Sequence, residues 1–218
     1  MKKTTLLVFL LMISLGYYSQ QTVVQDFETG TDGLGDAFGG AAGEIVADPE
    51  TGGTRGQVAK LTGAAGEAWQ GIIVAITSNY NYLLTTDKTI EMDVYSETAI
   101  TFAPKAQGGV AGAPESVSTA SHTGSGWETL TVTFDQSLDG KAPANGEYSE
   151  MAIHYFWDTA ANNFATASAR VFYVDNISAI AVTPSETCSD GIKNQDETGI
   201  DCGGTCDACP TPPTTAPT

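Results

Sequence analysis

Between Val23 and Ile180 the apolar residues of this chain recur at alternate positions or in short dense runs, and clusters of Gly, Asn, Asp and Ser separate the runs. Alternation over four to eight residues marks a strand with one face on a core, and no stretch repeats its apolar positions at a helical period. The pattern predicts strands over 23–27, 56–62, 68–77, 89–95, 100–104, 115–121, 127–134, 151–157 and 170–180. Many short strands with turn signals between them predict an all-β fold built as a two-sheet β-sandwich.

Two of these strands alternate cleanly. Successive residues on a strand face opposite sides, so Ile90, Met92 and Val94 point inward while Glu91, Asp93 and Tyr95 share the other face. Likewise Leu130, Val132 and Phe134 point inward and Thr129, Thr131 and Thr133 outward. The runs from Ala68 to Ile76 and from Met151 to Trp157 carry bulky groups on both faces, as a strand does when its far side meets a loop or a ligand. Gly71, close to Trp69, leaves room for a near approach to that sheet surface. Pro104 is expected to interrupt the strand that begins at Ile100.

The two ends of the chain have other compositions. Lys2 and Lys3 precede the apolar run Leu6–Leu15, and Gly16, Ser19 and Gln20 close it. That is the layout of a secretory signal peptide over residues 1–20, cut between Ser19 and Gln21, and the run is short for a bilayer span. All four cysteines, Cys188, Cys202, Cys206 and Cys209, lie near the other end in a stretch rich in acids and nearly free of large apolar side chains. Such a segment cannot bury a core and needs covalent staples or a cation to hold a shape. In an exported chain with no second Cys-x-x-Cys pair it reads as disulfide-bonded, with three connectivities open. Asp190, Asn194, Asp196, Glu197 and Asp201 could offer oxygens there, but their spacing does not satisfy an EF-hand loop. The chain therefore divides into a leader (1–20), a sandwich domain (21–183), a cysteine-rich connector (184–209) and an extended Pro/Thr linker (210–218).

Charge narrows the partners. Twenty-six Asp and Glu stand against nine Lys and Arg, a formal charge of −17 that becomes −19 once Lys2 and Lys3 leave with the leader. No basic stripe remains to neutralise phosphates, so nucleic acid and anionic membranes are excluded as partners. A soluble monomer outside the cell or at its surface is expected, with most carboxylates simply solvated. There are two histidines, His122 and His154, and no G-x-S-x-G, H-E-x-x-H or cysteine outside the connector. Catalysis needs a positioned acid and base or an activated nucleophile, so the chain is read as a non-enzyme.

In order, "QDFETG", "FGG", "AWQG", "IEMDVYS", "GWETLTVTFD", "HYFWD" and "FYVDNISAI" make the chain resemble the galactose-binding-like jelly-roll modules. These are carbohydrate-binding modules, often fused to secreted polysaccharide hydrolases such as laminarinases. The "DGIKNQDETGIDCGG" segment resembles a short connector of modular secreted proteins from bacteria that degrade marine polysaccharides. The resemblance implies a module that binds a polysaccharide such as a β-glucan without cleaving it, serving a hydrolase in the same or a neighbouring chain. Sugar rings stack their C–H faces on aromatic rings while their hydroxyls take fixed polar partners. On that basis Trp69 and Trp157 are the expected platforms, then Tyr95 and Tyr155, with Gln70, Asp93, His154, Asp158, Gln107 and Glu115 as polar partners. Such modules commonly hold a structural Ca²⁺, for which Glu28 and Asp175 are the matching positions and Asp48 a third. A structural or adhesive surface module, and a glycoside hydrolase or lyase, are the alternatives.

Overall fold

The computed structural model describes residues 20–28, 33–76, 80–183, 198–200, 202–204 and 206–210. The predicted leader up to residue 19, the linker over 211–218, Cys188 and the connector residues Asp190, Asn194, Asp196, Glu197 and Asp201 lie outside the described residues.

In chain order the strands are β1 (Thr22–Gln25), β2 (Leu34–Phe38), β3 (Ala42–Ala47), β4 (Gln57–Gly63), β5 (Gly71–Ala75), β6 (Asn81–Leu84) and β7 (Thr89–Ser96). There follow β8 (Ile100–Gly109), β9 (Ser116–Val117), β10 (Ala120–His122), β11 (Gly126–Thr133), β12 (Gly146–His154), β13 (Arg170–Ala179) and β14 (Ala181–Val182). They form two antiparallel sheets. A six-stranded sheet runs β11-β7-β13-β4-β3 with β1 on β13. An eight-stranded sheet runs β10-β8-β12-β5-β2, with β9 on β8, β6 on β12 and β14 on β6.

One apolar layer joins the sheets. Ile90, Met92 and Val94 of β7, Val132 of β11 and Leu61 of β4 meet Ile72, Val74, Phe102, Met151 and Ile153 from the facing sheet, all with at most 1% exposure. Burying such aliphatic side chains contributes roughly 1.5–3 kcal/mol each before the entropy of ordering is counted. Leu130 packs at the margin of this core, and Thr129, Thr131 and Thr133 face outward.

Pro104 does not end its strand. β8 continues to Gly109, and Pro104 stands opposite Ile153 of β12. Its carbonyl accepts the Ser118 N–H at 2.9 Å. In an extended residue N and C=O point the same way, so the nitrogen that lacks a proton faces the break between β9 and β10, where no rung is required. In the connector Cys202 and Cys209 are joined by a disulfide, and Cys206 is disulfide-bonded as well. Among the described residues no helix is long and apolar enough to cross a membrane.

Candidate functional site

The outward face of the eight-stranded sheet is set by register. Ala103 of β8, His154 of β12, Gly71 of β5 and Phe38 of β2 lie in one row across four strands. Phe38 ends its strand at the Gly39–Gly40 turn, both glycines at positive φ, and its ring lies over Gly71. A Cβ on Gly71 would fall 2.6 Å from Phe38 Cζ and 2.4 Å from the Ile153 carbonyl oxygen, so only glycine lets the ring settle on the sheet.

Around this row five rings follow one another. Trp69, at the end of the loop between β4 and β5, stacks on Phe38 with centroids 5.9 Å apart and planes 9° from parallel. Phe38 meets His154 at 5.3 Å, His154 meets Phe164 at 5.1 Å, and Phe164 meets Trp157 at 5.4 Å. Trp69 is 45% exposed and Phe164 37%, whereas Trp157 is 6% exposed against Ala103, Val117 and Leu138. The Phe164 end opens into a pocket of about 510 Å³ lined by Trp157, His154, Lys105, Asp139, Asn162 and Phe164, among others. The Trp157 Nε1–H has no protein acceptor among the described residues.

Polar groups frame the rings. Trp69 donates its indole N–H to Glu67 at 3.0 Å. His154 sits 3.2 Å from the Trp69 carbonyl through Nδ1; with the proton there, Nε2 is left as an acceptor. Burial, with some help from Lys105, holds His154 below its ordinary pKa despite that hydrogen bond, so the ring is neutral at pH 7. Lys105 pairs with Glu115 at 2.7 Å, and Gln107 donates to Glu150 at 3.3 Å in the next rows of the same face. Asp158 accepts the N–H groups of Ala160 and Ala161 and bridges to Asn163, which shapes the loop that presents Phe164.

The structure therefore brings Trp69, His154, Trp157 and Asp158 to one end of the sandwich, and places Gln107 and Glu115 on or beside the same face. Two neighbours in sequence point elsewhere. Tyr155 is fully buried, its hydroxyl donating to the Ala42 carbonyl at 3.0 Å, because strand alternation turns it inward beside His154. Gln70 is also fully buried, with both amide atoms on the main chain of Ala64. Phe38 and Phe164 were not singled out beforehand. The "FGG" turn and the loop after "HYFWD" were the signals available for them.

Asp93 and Tyr95 lie on the outward face of the other sheet. Tyr95 stands between Trp127 and Tyr173, centroids 5.5 and 5.7 Å away. Arg55 lies 4.2 Å over Trp127 and pairs with Asp93 at 2.5 Å and Asp175 at 3.4 Å. Burial raises Asp93, but hydrogen bonds from Thr129, Arg55 and Asn176 outweigh it and leave the carboxyl below its usual value. Asp175 is more deeply buried, and desolvation pushes it up to about 6 despite its bonds to Asn176 and Arg55.

The three acids expected to hold calcium are engaged by protein donors. Asp48 accepts the Trp127 indole N–H and the Glu50 and Arg55 amides, Glu28 accepts the Gln57 amide, and Asp175 faces Arg55. Calcium takes six to eight oxygens, and no group of three or more His, Cys, Asp or Glu that could hold a metal occurs among the described residues. These side chains do not fit the ion as they stand; a guanidinium supplies the positive charge at Asp175.

No family model matches the chain, and no curated protein matches it. Among solved structures it is similar to the family 11 carbohydrate-binding module of a cellulosomal cellulase of Clostridium thermocellum, at 20% identity and a TM-score of 0.45 over 77% of this chain and 97% of that one. The same family's module in complex with a β-1,3-1,4-mixed-linked tetrasaccharide gives 19% and 0.43 over 72% and 94%. A family 30 carbohydrate-binding module of another cellulosomal cellulase of that organism gives 11% and 0.46 over 75% and 98%.

Proposed function

We propose that the chain is an exported, non-catalytic glycan-binding module whose ligand lies on the outward face of the eight-stranded sheet, and that it brings an attached or partner hydrolase to a neutral polysaccharide such as a β-glucan. The row Trp69, Phe38, His154, Phe164 and Trp157 carries the proposal. Trp69 and Phe164 keep more than a third of their surface in water although a core is available to bury them. Pyranose C–H faces dry such rings, and the gain is of hydrophobic and dispersive origin. Hydroxyls would find His154 Nε2, Gln107 and the Glu150, Glu115 and Asp139 carboxylates at the flanks, a set rich in acceptors.

Affinity electrophoresis on mixed-linkage β-glucan, laminarin, xylan, alginate and agarose tests it. Retardation by at least one neutral glycan is expected, together with its loss in Trp69→Ala. Absence of retardation across the panel overturns the proposal in favour of an adhesive module acting through protein contacts. Release of reducing ends from any of these glycans overturns its non-catalytic part.

A further inference from the structure

We propose that Gln70 is a positioning residue whose buried amide holds Trp69 in its ligand-facing orientation; this rests on the glycan-binding reading above. The loop from Ala64 to Gln70 joins β4 to β5 and carries Trp69 on its rim. Gln70 is fully buried while the residue before it is nearly half exposed. Its Oε1 accepts the Ala64 N–H at 3.0 Å and its Nε2 donates to the Ala64 carbonyl at 2.7 Å. One side-chain amide thus does for Ala64 what a neighbouring strand does for a rung, satisfying donor and acceptor of the same residue.

Both ends of the loop are then tied. The Gln70 carbonyl accepts the Tyr155 N–H at 2.8 Å, and His154 Nδ1 meets the Trp69 carbonyl, which docks the end of the loop on the segment that follows β12. The amide ties the beginning of the loop to that docked end. A Cβ on Gly39 would lie 3.0 Å from Gln70 Cα, so the turn that carries Phe38 is packed on the same residue. Gln70 in this way sets the spacing of the Trp69–Phe38 stack without an atom free for a ligand. Its full burial removes it from direct sugar contact.

Loss of the amide should open the loop rather than unfold the core, because Ala64 is exposed and its freed groups turn to water. Gln70→Leu keeps the bulk and removes both bonds. The probe is soluble mixed-linkage β-1,3-1,4-glucan, and affinity is followed beside iodide quenching of tryptophan fluorescence. Trp69 dominates the quenching because Trp157 is buried and Trp127 lies half-buried under Arg55. The expected result is roughly tenfold weaker binding, stronger quenching, and a melting temperature close to the parent's.

Gln70→Glu supplies a second readout and covers the case in which the leucine variant fails to fold. A carboxylate cannot donate to the Ala64 carbonyl, but a protonated carboxyl can donate there and accept from the amide. Burial raises a carboxyl's pKa, so the affinity of this variant relative to the parent should be low at about pH 8 and recover toward about pH 5. A bulk packing role would leave that ratio flat. Parent-like affinity and quenching in Gln70→Leu, or a pH-independent ratio in Gln70→Glu, overturns the assignment. Should Trp69→Ala bind as well as the parent, the platform falls and takes the ligand-facing half of the proposal with it. Equal quenching of parent and Gln70→Leu then overturns the remaining half.

Discussion

The two outward faces of the sandwich both carry aromatic rows, and they differ in how far the protein's own charged groups occupy the rings. On the six-stranded sheet Trp127, Tyr95 and Tyr173 stand in register across β11, β7 and β13. There Arg55 lies over Trp127, Asp48 accepts its indole N–H, and Thr129, Arg55 and Asn176 fill the oxygens of Asp93. On the eight-stranded sheet the rings follow one another from Trp69 to Trp157, and only Trp157 is sunk among apolar neighbours. Glu67 accepts the Trp69 indole N–H and the other polar partners hold the main chain and the loop turns, while the ring faces of Trp69 and Phe164 stay exposed. The lesson is that an aromatic row is a candidate binding face only where its ring surface is not already spent on the protein.

The largest effect should come from the closed face. Arg55→Ala leaves Asp93 and Asp175 without their cation, and breaking such a partly buried pair costs on the order of 3 kcal/mol. Urea denaturation should show that loss while glycan retardation is unchanged; weakened retardation would merge the two faces into one site. Next, Trp69→Ala should cost about 2 kcal/mol or more of binding, roughly thirtyfold, with stability altered by less than about 0.5 kcal/mol. A fall in stability with binding intact would reverse the roles given to the two faces.

Asp175 sharpens the contrast through pH. Its folded pKa of about 6 lies above the ordinary aspartate value of 3.8, so between these values the native state holds a proton that the unfolded chain has released. Stability from this group is therefore lost as pH rises through that window, by on the order of 2 kcal/mol. The difference in unfolding free energy between Asp175→Asn and the parent should accordingly drift in the variant's favour from about pH 4 to pH 6 and then level off. A difference that stays flat across that range would mean that desolvation of Asp175 does not outweigh its bonds to Asn176 and Arg55. A smaller effect is expected at the edge of the open face, where Phe164→Ala should weaken binding by about 1 kcal/mol, roughly fivefold, by calorimetric titration. Smallest of all, calcium or EDTA should move the melting temperature by less than about 2 °C if Arg55 supplies the charge at Asp175, whereas a larger calcium shift would restore an ion to that corner.

Much of the fold was legible because β7 and β11 follow a strict two-residue repeat, and their inward sets are those found in the core. β2, β3 and β6 were not. Leu34-Gly-Asp-Ala-Phe38 and Ala42-Gly-Glu-Ile-Val-Ala47 are short and dilute their apolar positions with Gly and Ala, so their strand character comes from pairing with β5 and β4. Pro104 misled for a related reason: whether a strand tolerates proline depends on what stands opposite its nitrogen, a property of the neighbouring strand. In the site, Trp69, His154 and Trp157 could be nominated from two bulky strands. Phe38 and Phe164 could not be joined to them, since their approach depends on register across β2, β5 and β12 and on the Asp158–Asn163 turn.

Local chemistry settled that this chain makes strands and, because side chains on a strand must alternate whatever surrounds them, that Asp93 and Tyr95 turn away from the core; it left the face of His154 undecided. It could not assign those residues to one surface. A two-layer sandwich has two outward faces, and a repeat of two residues distinguishes inside from outside but carries no label for the sheet. Pairing of β7 with β11 and β13 sent Tyr95 to the closed face, and pairing of β12 with β5 and β8 sent His154 to the open one. Those are contacts between residues far apart along the chain, chosen by the packing of the whole domain.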